Sequence, residues 1–204
     1  MKKKINNQYI LFYLIALLFL SYFFLYFKHQ VGNDSTISEW LINYEGGFTR
    51  RGFIGQIAII LSRLFDSDLR WTIFLFQSFF CTAYFSLLWY LLRDLKNNRI
   101  INLSIFTPIF ILYPIAEIEV LARKEILVFT LYFLYLFIPN NKFYKNLGLS
   151  IYFIFAILIW EPVIFYIPIF IAIEIISRVI QKINFELVKI VLSFMPGIII
   201  GIYF

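Results

Sequence analysis

One histidine, His29, and one cysteine, Cys81, are all that the 204-residue chain offers for soft-metal ligation or thiol pairing. Transition-metal sites draw mainly on several such ligands, so that chemistry is disfavoured, and one thiol cannot form an internal disulfide. The same scarcity argues against Ser-His-Asp hydrolysis, and the Gly-x-Ser-x-Gly elbow of such enzymes is missing. No Gly-x-x-x-x-Gly-Lys-Ser/Thr loop is present, which removes the usual cradle for ATP. Charge is sparse as well, with Asp, Glu, Lys and Arg together making 15% of residues. No internal repeat and no low-complexity linker interrupts the sequence.

Apolar side chains fill the space that charge leaves. The chain is 62% hydrophobic and 22% aromatic, with 26 Phe and 14 Tyr. A soluble domain of this size cannot hide that much apolar surface, so the expected solvent is lipid. The fold class is therefore all-α: a polytopic transmembrane helical bundle, read as one integral-membrane domain over residues 1–204. The net charge of +6 points to cytoplasmic loops and anionic lipid rather than to nucleic acid.

Lys2, Lys3 and Lys4 precede an apolar run from Tyr9 to Phe27, long enough to cross a bilayer. No small-residue cleavage site follows, so the run reads as an uncleaved anchor with its N-terminus inside. Residues 28–70 form an outer loop, polar and turn-rich up to Arg51. Its apolar stretch Gly52 to Phe65 gives only about 21 Å of helix and reads as interfacial or re-entrant. Asp68 or Ser67 is placed to cap the next helix. Trp71 to Leu92 is a second span with Trp71, Trp89 and Tyr90 near its ends as interface anchors. Ile100 to Ile115 is a third, bent or ended by Pro108 and Pro114, and Ile126 to Ile138 returns after a charged apex.

The apolar run from Leu147 to Ile176 is too long for one crossing, and Trp160-Glu161-Pro162 divides it. Dividing it there keeps Lys2, Lys3, Lys4, Arg93, Lys96, Arg99, Lys142, Lys145, Arg178, Lys182 and Lys189 on the inner side, as the positive-inside rule prefers. Ile190 to Phe204 opens a further span in which the sequence stops, the expectation for the N-terminal part of a longer protein. Gly197 and Gly201 give that span a small-xxx-small face for close helix packing.

This topology gathers the acid–base groups on the outer side. Glu39, Glu45, Arg50, Arg51, Glu117, Glu119, Arg123, Lys124, Glu125 and Glu161 all fall there. Ionisable groups at membrane depth are costly and mark sites. Arg50 and Arg51 offer paired planar forks for phosphate oxygens, next to a helix start at Gly52. Glu161 is an isolated acid between Trp160 and Pro162; capping the following helix would be its simplest use.

The segment Asn43-Tyr44-Glu45-Gly46-Gly47-Phe48-Thr49-Arg50-Arg51-Gly52-Phe53-Ile54-Gly55 resembles a motif of poorly characterised bacterial inner-membrane proteins encoded with capsule or lipopolysaccharide genes. Arg123-Lys124-Glu125 and Trp160-Glu161-Pro162 resemble their later polar apices. That group is in turn similar to GT-C-type glycosyltransferases, which use polyprenyl-phosphate-linked sugars. The resemblance implies Glu39 or Glu45 as catalytic base, with Arg50, Arg51, Arg123 and Lys124 on the phosphates. It implies Glu161 and Glu125 orienting the saccharide. The family pattern places an Asp in the first loop, whereas the nearest acids here are Asp34, Glu39 and Glu45. No cofactor is required; a divalent metal ion could sit on the carboxylates.

Three readings stand on these residues. One is a glycosyltransferase or polymerase acting on polyprenyl-linked saccharide in the inner membrane, with other polysaccharide-assembly proteins as possible partners. The second is a flippase or exporter of the same lipid-linked glycans, and the third is a non-catalytic membrane subunit or a truncated fragment.

Overall fold

The computed structural model describes the chain outside residues 1–6, 32–34, 48, 50, 94–120, 140, 182–185 and 204. Among the described residues every regular element is helical. In chain order they are α1 (Asn7–Gln30), α2 (Ser35–Leu41), α3 (Phe53–Leu64), α4 (Leu69–Leu92), α5 (Glu125–Leu136) and α6 (Lys142–Ile159). A 3₁₀ helix (Glu161–Tyr166), α7 (Ile167–Ile180), α8 (Leu187–Leu192) and α9 (Met195–Tyr203) follow. Among the described residues, four stretches are long and apolar enough to cross a membrane: Gln8–Gln30, Leu69–Leu92, Lys142–Ile159 and Glu161–Ile180. The protein is thus all-α and polytopic. The expected span Ile100 to Ile115 and the acids Glu117 and Glu119 lie outside the described residues.

The chain forms two compact units, one of Met1–Leu41 with Ala58–Ile126, the other of Ile42–Ile57 with Leu127–Phe204. In the first, α1 packs along α4. The buried stripe on α1 runs Ile10, Leu14, Leu17, Ser21, Leu25 and Lys28, every third or fourth residue. Its counterpart on α4 runs Ile73, Gln77, Cys81, Phe85, Leu88 and Leu92. Helical spacing alone builds this seam, because residues three and four apart share a face. Polar groups stitch it: the Tyr22 hydroxyl bonds Thr82 Oγ1 and donates to the Ser78 carbonyl at 3.3 Å. The outward faces stay apolar, with Phe12, Phe19 and Phe79 each at least 65% exposed, as lipid contact requires. Asp68 caps α4 by accepting from the Trp71 N–H at 3.2 Å.

In the second unit, α6 and α7 form a hairpin joined by the 3₁₀ helix. Asn141 caps the start of α6, accepting from the Phe143 N–H at 2.9 Å. α6 ends at Ile159 and the chain breaks at Trp160, which is extended at φ −151° and ψ 95°. Glu161 and Pro162 then open the 3₁₀ helix, the early helical position that proline favours. α9 lies on α6, and its glycines are the reason. A side-chain carbon on Gly197 would come within 2.6 Å of the Phe153 ring and 3.2 Å of the Phe153 backbone. The expected last span is two shorter helices rather than one. Pro196 brings no backbone donor to the ladder, so α8 ends at Leu192 and α9 begins at Met195. The loop after the first span also holds more helix than its polarity suggested, since α1 continues to Gln30 and Ser35–Leu41 forms α2.

Candidate functional site

Two carboxylate–guanidinium pairs hold four of the eight expected site residues. In the second unit Arg51 donates from Nη2 to Glu161 Oε1 at 2.9 Å. The loop that delivers Arg51 is built from short polar contacts. Asn43 Oδ1 accepts from the Glu45 N–H at 2.8 Å, and Thr49 Oγ1 donates to the Asn43 carbonyl at 3.0 Å. The Tyr44 N–H donates to Gln56 Oε1 at 3.1 Å, tying the loop to the first turn of α3. Phe53 and Phe155, with ring centroids 5.8 Å apart, bring the start of α3 to α6.

Arg51 sits at φ +69°, the left-handed region that costs a branched or bulky residue about 1 kcal/mol or more. Backbone strain of this kind concentrates where a particular side chain has to be presented. Gly52 next to it is buried under the Tyr44 ring, which occupies the place of a Cβ. Tyr44 is thereby part-buried, and burial pushes its phenol above the usual range. Both members of the pair remain about one-third exposed, Arg51 at 32% and Glu161 at 34%. A half-exposed pair contributes little to stability, about 0.2–1 kcal/mol, so stability alone is a weak reason for it.

In the first unit Arg123 donates from Nη2 to Glu39 Oε1 at 2.9 Å. Arg123 stands in a tight turn, Leu121 to Lys124, that is pressed into the interior. Leu121, Ala122 and Lys124 are all about 1% exposed. Three side chains hold the turn by its carbonyls. Trp40 Nε1 donates to the Ala122 carbonyl at 3.0 Å, and Gln77 Nε2 shares that acceptor at 3.2 Å. Lys28 Nζ reaches the Leu121 carbonyl at 3.5 Å. Gln77 Oε1 in turn meets His29 Nε2 at 2.7 Å, and Ala122 takes a left-handed φ of +55° to close the turn.

The structure therefore brings together Arg51 with Glu161, and Arg123 with Glu39. Glu45 is exposed at the tip of its turn, and Glu125 begins α5. Arg50 lies outside the described residues. Lys124 is expected on a phosphate but is a buried side chain of the first unit. Glu161 is not a side-chain cap: the 3₁₀ helix has no side-chain cap bond, and the carboxylate turns to Arg51 instead. Among the described residues, no three His, Cys, Asp or Glu side chains converge as a metal site.

Other charged groups were hidden in the sequence. Lys145 and Arg178, counted with the solvated inner loops, are buried, and so is Glu174. The signal was available: Glu174 and Arg178 stand four apart in an apolar run, the spacing of a helical ion pair. Lys28, Trp40 and Gln77 carried no local signal, because their partners are distant in sequence.

Chemically, a guanidinium carries five N–H donors in one plane, so a carboxylate and a phosphate can share it. A carboxylate beside it can orient or deprotonate a hydroxyl. The fold and these pairs define an all-α polytopic membrane protein with two part-exposed ion pairs, Arg51–Glu161 in one unit and Arg123–Glu39 in the other. No family model, no curated protein and no solved structure matches the chain.

Proposed function

We propose that the protein is an inner-membrane glycosyltransferase or polymerase acting on polyprenyl-(di)phosphate-linked saccharides. The Arg51–Glu161 pair carries the reading. A guanidinium is presented on a strained backbone beside a carboxylate, and each is about one-third exposed. In glycosyl transfer the sugar C1–O bond to phosphate breaks as the acceptor oxygen bonds C1. A carboxylate takes the acceptor proton, and cations neutralise the departing phosphate. Arg51, with Arg50, is assigned to the phosphate. Glu161 is assigned to the saccharide, and Glu39 or Glu45 to the proton. Arg123 and Lys124 are second candidates for the phosphate, and Glu125 for the saccharide. On this reading the N-terminus is cytoplasmic and α3 rests in the outer leaflet.

The test is complementation of glycan assembly in a null strain, paired with binding of a polyprenyl-diphosphate sugar to purified protein. Arg51→Lys is expected to lose activity nearly as completely as Arg51→Ala, because lysine keeps charge but not the planar fork. Full activity of Arg51→Lys overturns the phosphate assignment.

Export of the same lipid-linked glycans is the second reading, in which the part-exposed Arg51–Glu161 pair binds the phosphate without bond chemistry. Glycan movement between leaflets without formation of a glycosidic bond, measured in vesicles, would select it.

A further inference from the structure

The α6–α7 hairpin has polar groups at both of its ends. Glu161 marks the end where the two helices are joined. At the far end, across the roughly 27 Å of an 18-residue helix, Lys145, Asn146, Glu174 and Arg178 come together. Arg178 Nε donates to Glu174 Oε2 at 3.3 Å, and Arg178 Nη2 donates to Asn146 Oδ1 at 2.8 Å. Lys145 Nζ donates to the Leu136 carbonyl at 3.4 Å and stands 4.8 Å from the centre of the Tyr135 ring. Glu174 and Arg178 are each 3% exposed and Lys145 is 8% exposed. Glu174 is the one carboxylate among the described residues that faces these two cations, and it is in contact with Arg178. The cluster therefore carries one positive charge more than it neutralises.

A second shortage lies beside the first. The hydroxyls of Tyr132 and Tyr152 are buried and have no hydrogen-bond partner among the described residues. Their rings are 5.4 Å apart, and Tyr132 is within electrostatic reach of Glu174. A buried uncompensated cation and buried idle donors each cost free energy. One anion with several oxygens removes both costs.

We infer that the Lys145–Glu174–Arg178 cluster, with the Tyr132 and Tyr152 hydroxyls, is a binding site for the phosphate of an anionic phospholipid headgroup. The level of the site selects the lipid over a soluble ion. It sits where two helices long enough to span a bilayer reach its surface, and basic pockets between helices at that depth receive headgroups. The exposed Lys142, in the first turn of α6, extends the positive rim. The site is independent of the Arg51–Glu161 pair and of the glycan reading.

The test uses the full chain, purified in neutral detergent, with phosphatidylglycerol, phosphatidylcholine and inorganic phosphate as separate probes. Retained lipid is read by native mass spectrometry and stabilisation by thermal unfolding. Phosphatidylglycerol should be retained over phosphatidylcholine. Lys145→Gln should weaken that retention about fivefold, the scale of one cation at a membrane surface, and Lys145→Arg should restore it. Without lipid, Lys145→Gln should unfold no earlier than the wild type, which a purely structural lysine would not allow. Glu174→Gln, which adds a net positive charge, should strengthen retention. Equal retention by wild type and Lys145→Gln overturns the site. So does equal retention of the two lipids, or a Glu174→Gln variant no stronger than wild type. Stabilisation by inorganic phosphate equal to that by phosphatidylglycerol overturns the lipid assignment.

Discussion

Arg51 and Glu161 are 110 positions apart in the chain and meet at 2.9 Å. Their contact fastens the loop before α3 to the 3₁₀ helix between α6 and α7. Because each is about one-third exposed, breaking the pair should lower stability by no more than about 1 kcal/mol. Arg51→Gln is expected to shift the unfolding temperature slightly while abolishing complementation. A large loss of stability with retained activity would make the pair a structural clasp.

Arg51 and its backbone pull in opposite directions. Arg51→Gly loses the ion pair as Arg51→Gln does but relieves the left-handed strain at φ +69°, so it should be more stable than Arg51→Gln by about 1 kcal/mol, as thermal unfolding would show. The same variant is expected to be inactive. Ala122→Gly should show the strain relief without the loss of activity, because φ +55° there is strained but its methyl group performs no chemistry. An Ala122→Gly protein less stable than wild type would contradict this.

The buried pair on α7 should behave unlike the exposed ones. Glu174→Leu leaves the Arg178 guanidinium and the Lys145 ammonium buried without their carboxylate, and a loss of about 3–5 kcal/mol is expected. The double variant Glu174→Leu/Arg178→Leu should recover much of that loss. Denaturant or thermal unfolding of both proteins in the same detergent decides it, and a double variant as weak as the single one would count against the argument.

Helix packing in the second unit can be probed at the two glycines of α9, Gly197 and Gly201. Gly197→Val drives a branched side chain into the Phe153 ring and backbone, and should cost about 1–3 kcal/mol. Gly201→Ala meets only the Ile157 side chain, at 3.1 Å, and should cost less. Measured thermal shifts in the reverse order would show that α9 packs on α6 by another face.

Local pattern carried most of the architecture. Apolar runs of bilayer length marked α1 and α4, Trp160-Glu161-Pro162 marked the break before α7, and the Gly197–Gly201 spacing marked a helix that packs closely. Each is readable because its cause lies within a few residues. The polar interior was not readable in that way. Trp40 and Gln77 find the Ala122 carbonyl 82 and 45 positions away, and Lys145 and Arg178 look like ordinary loop cations until α6 and α7 fold against each other. The site divides along the same line. The charged apices were visible as clusters, but that Glu161 answers Arg51 and Glu39 answers Arg123 depends on tertiary structure alone. Pro196 was visible too; its effect on the last apolar run is to leave α8 and α9 as short helices.

The buried turn at Leu121 to Lys124 has a consequence for biogenesis. A membrane chain is delivered N-terminus first, so Lys28, Trp40 and Gln77 enter 93, 82 and 45 positions ahead of the carbonyls they will hold. Until Leu121 and Ala122 emerge, the early helices hold polar donors that lipid cannot satisfy. The turn works as a late latch: its arrival ends the period in which the nascent protein is open to chaperones and to proteolysis, and chains halted before it should be the ones that quality control removes.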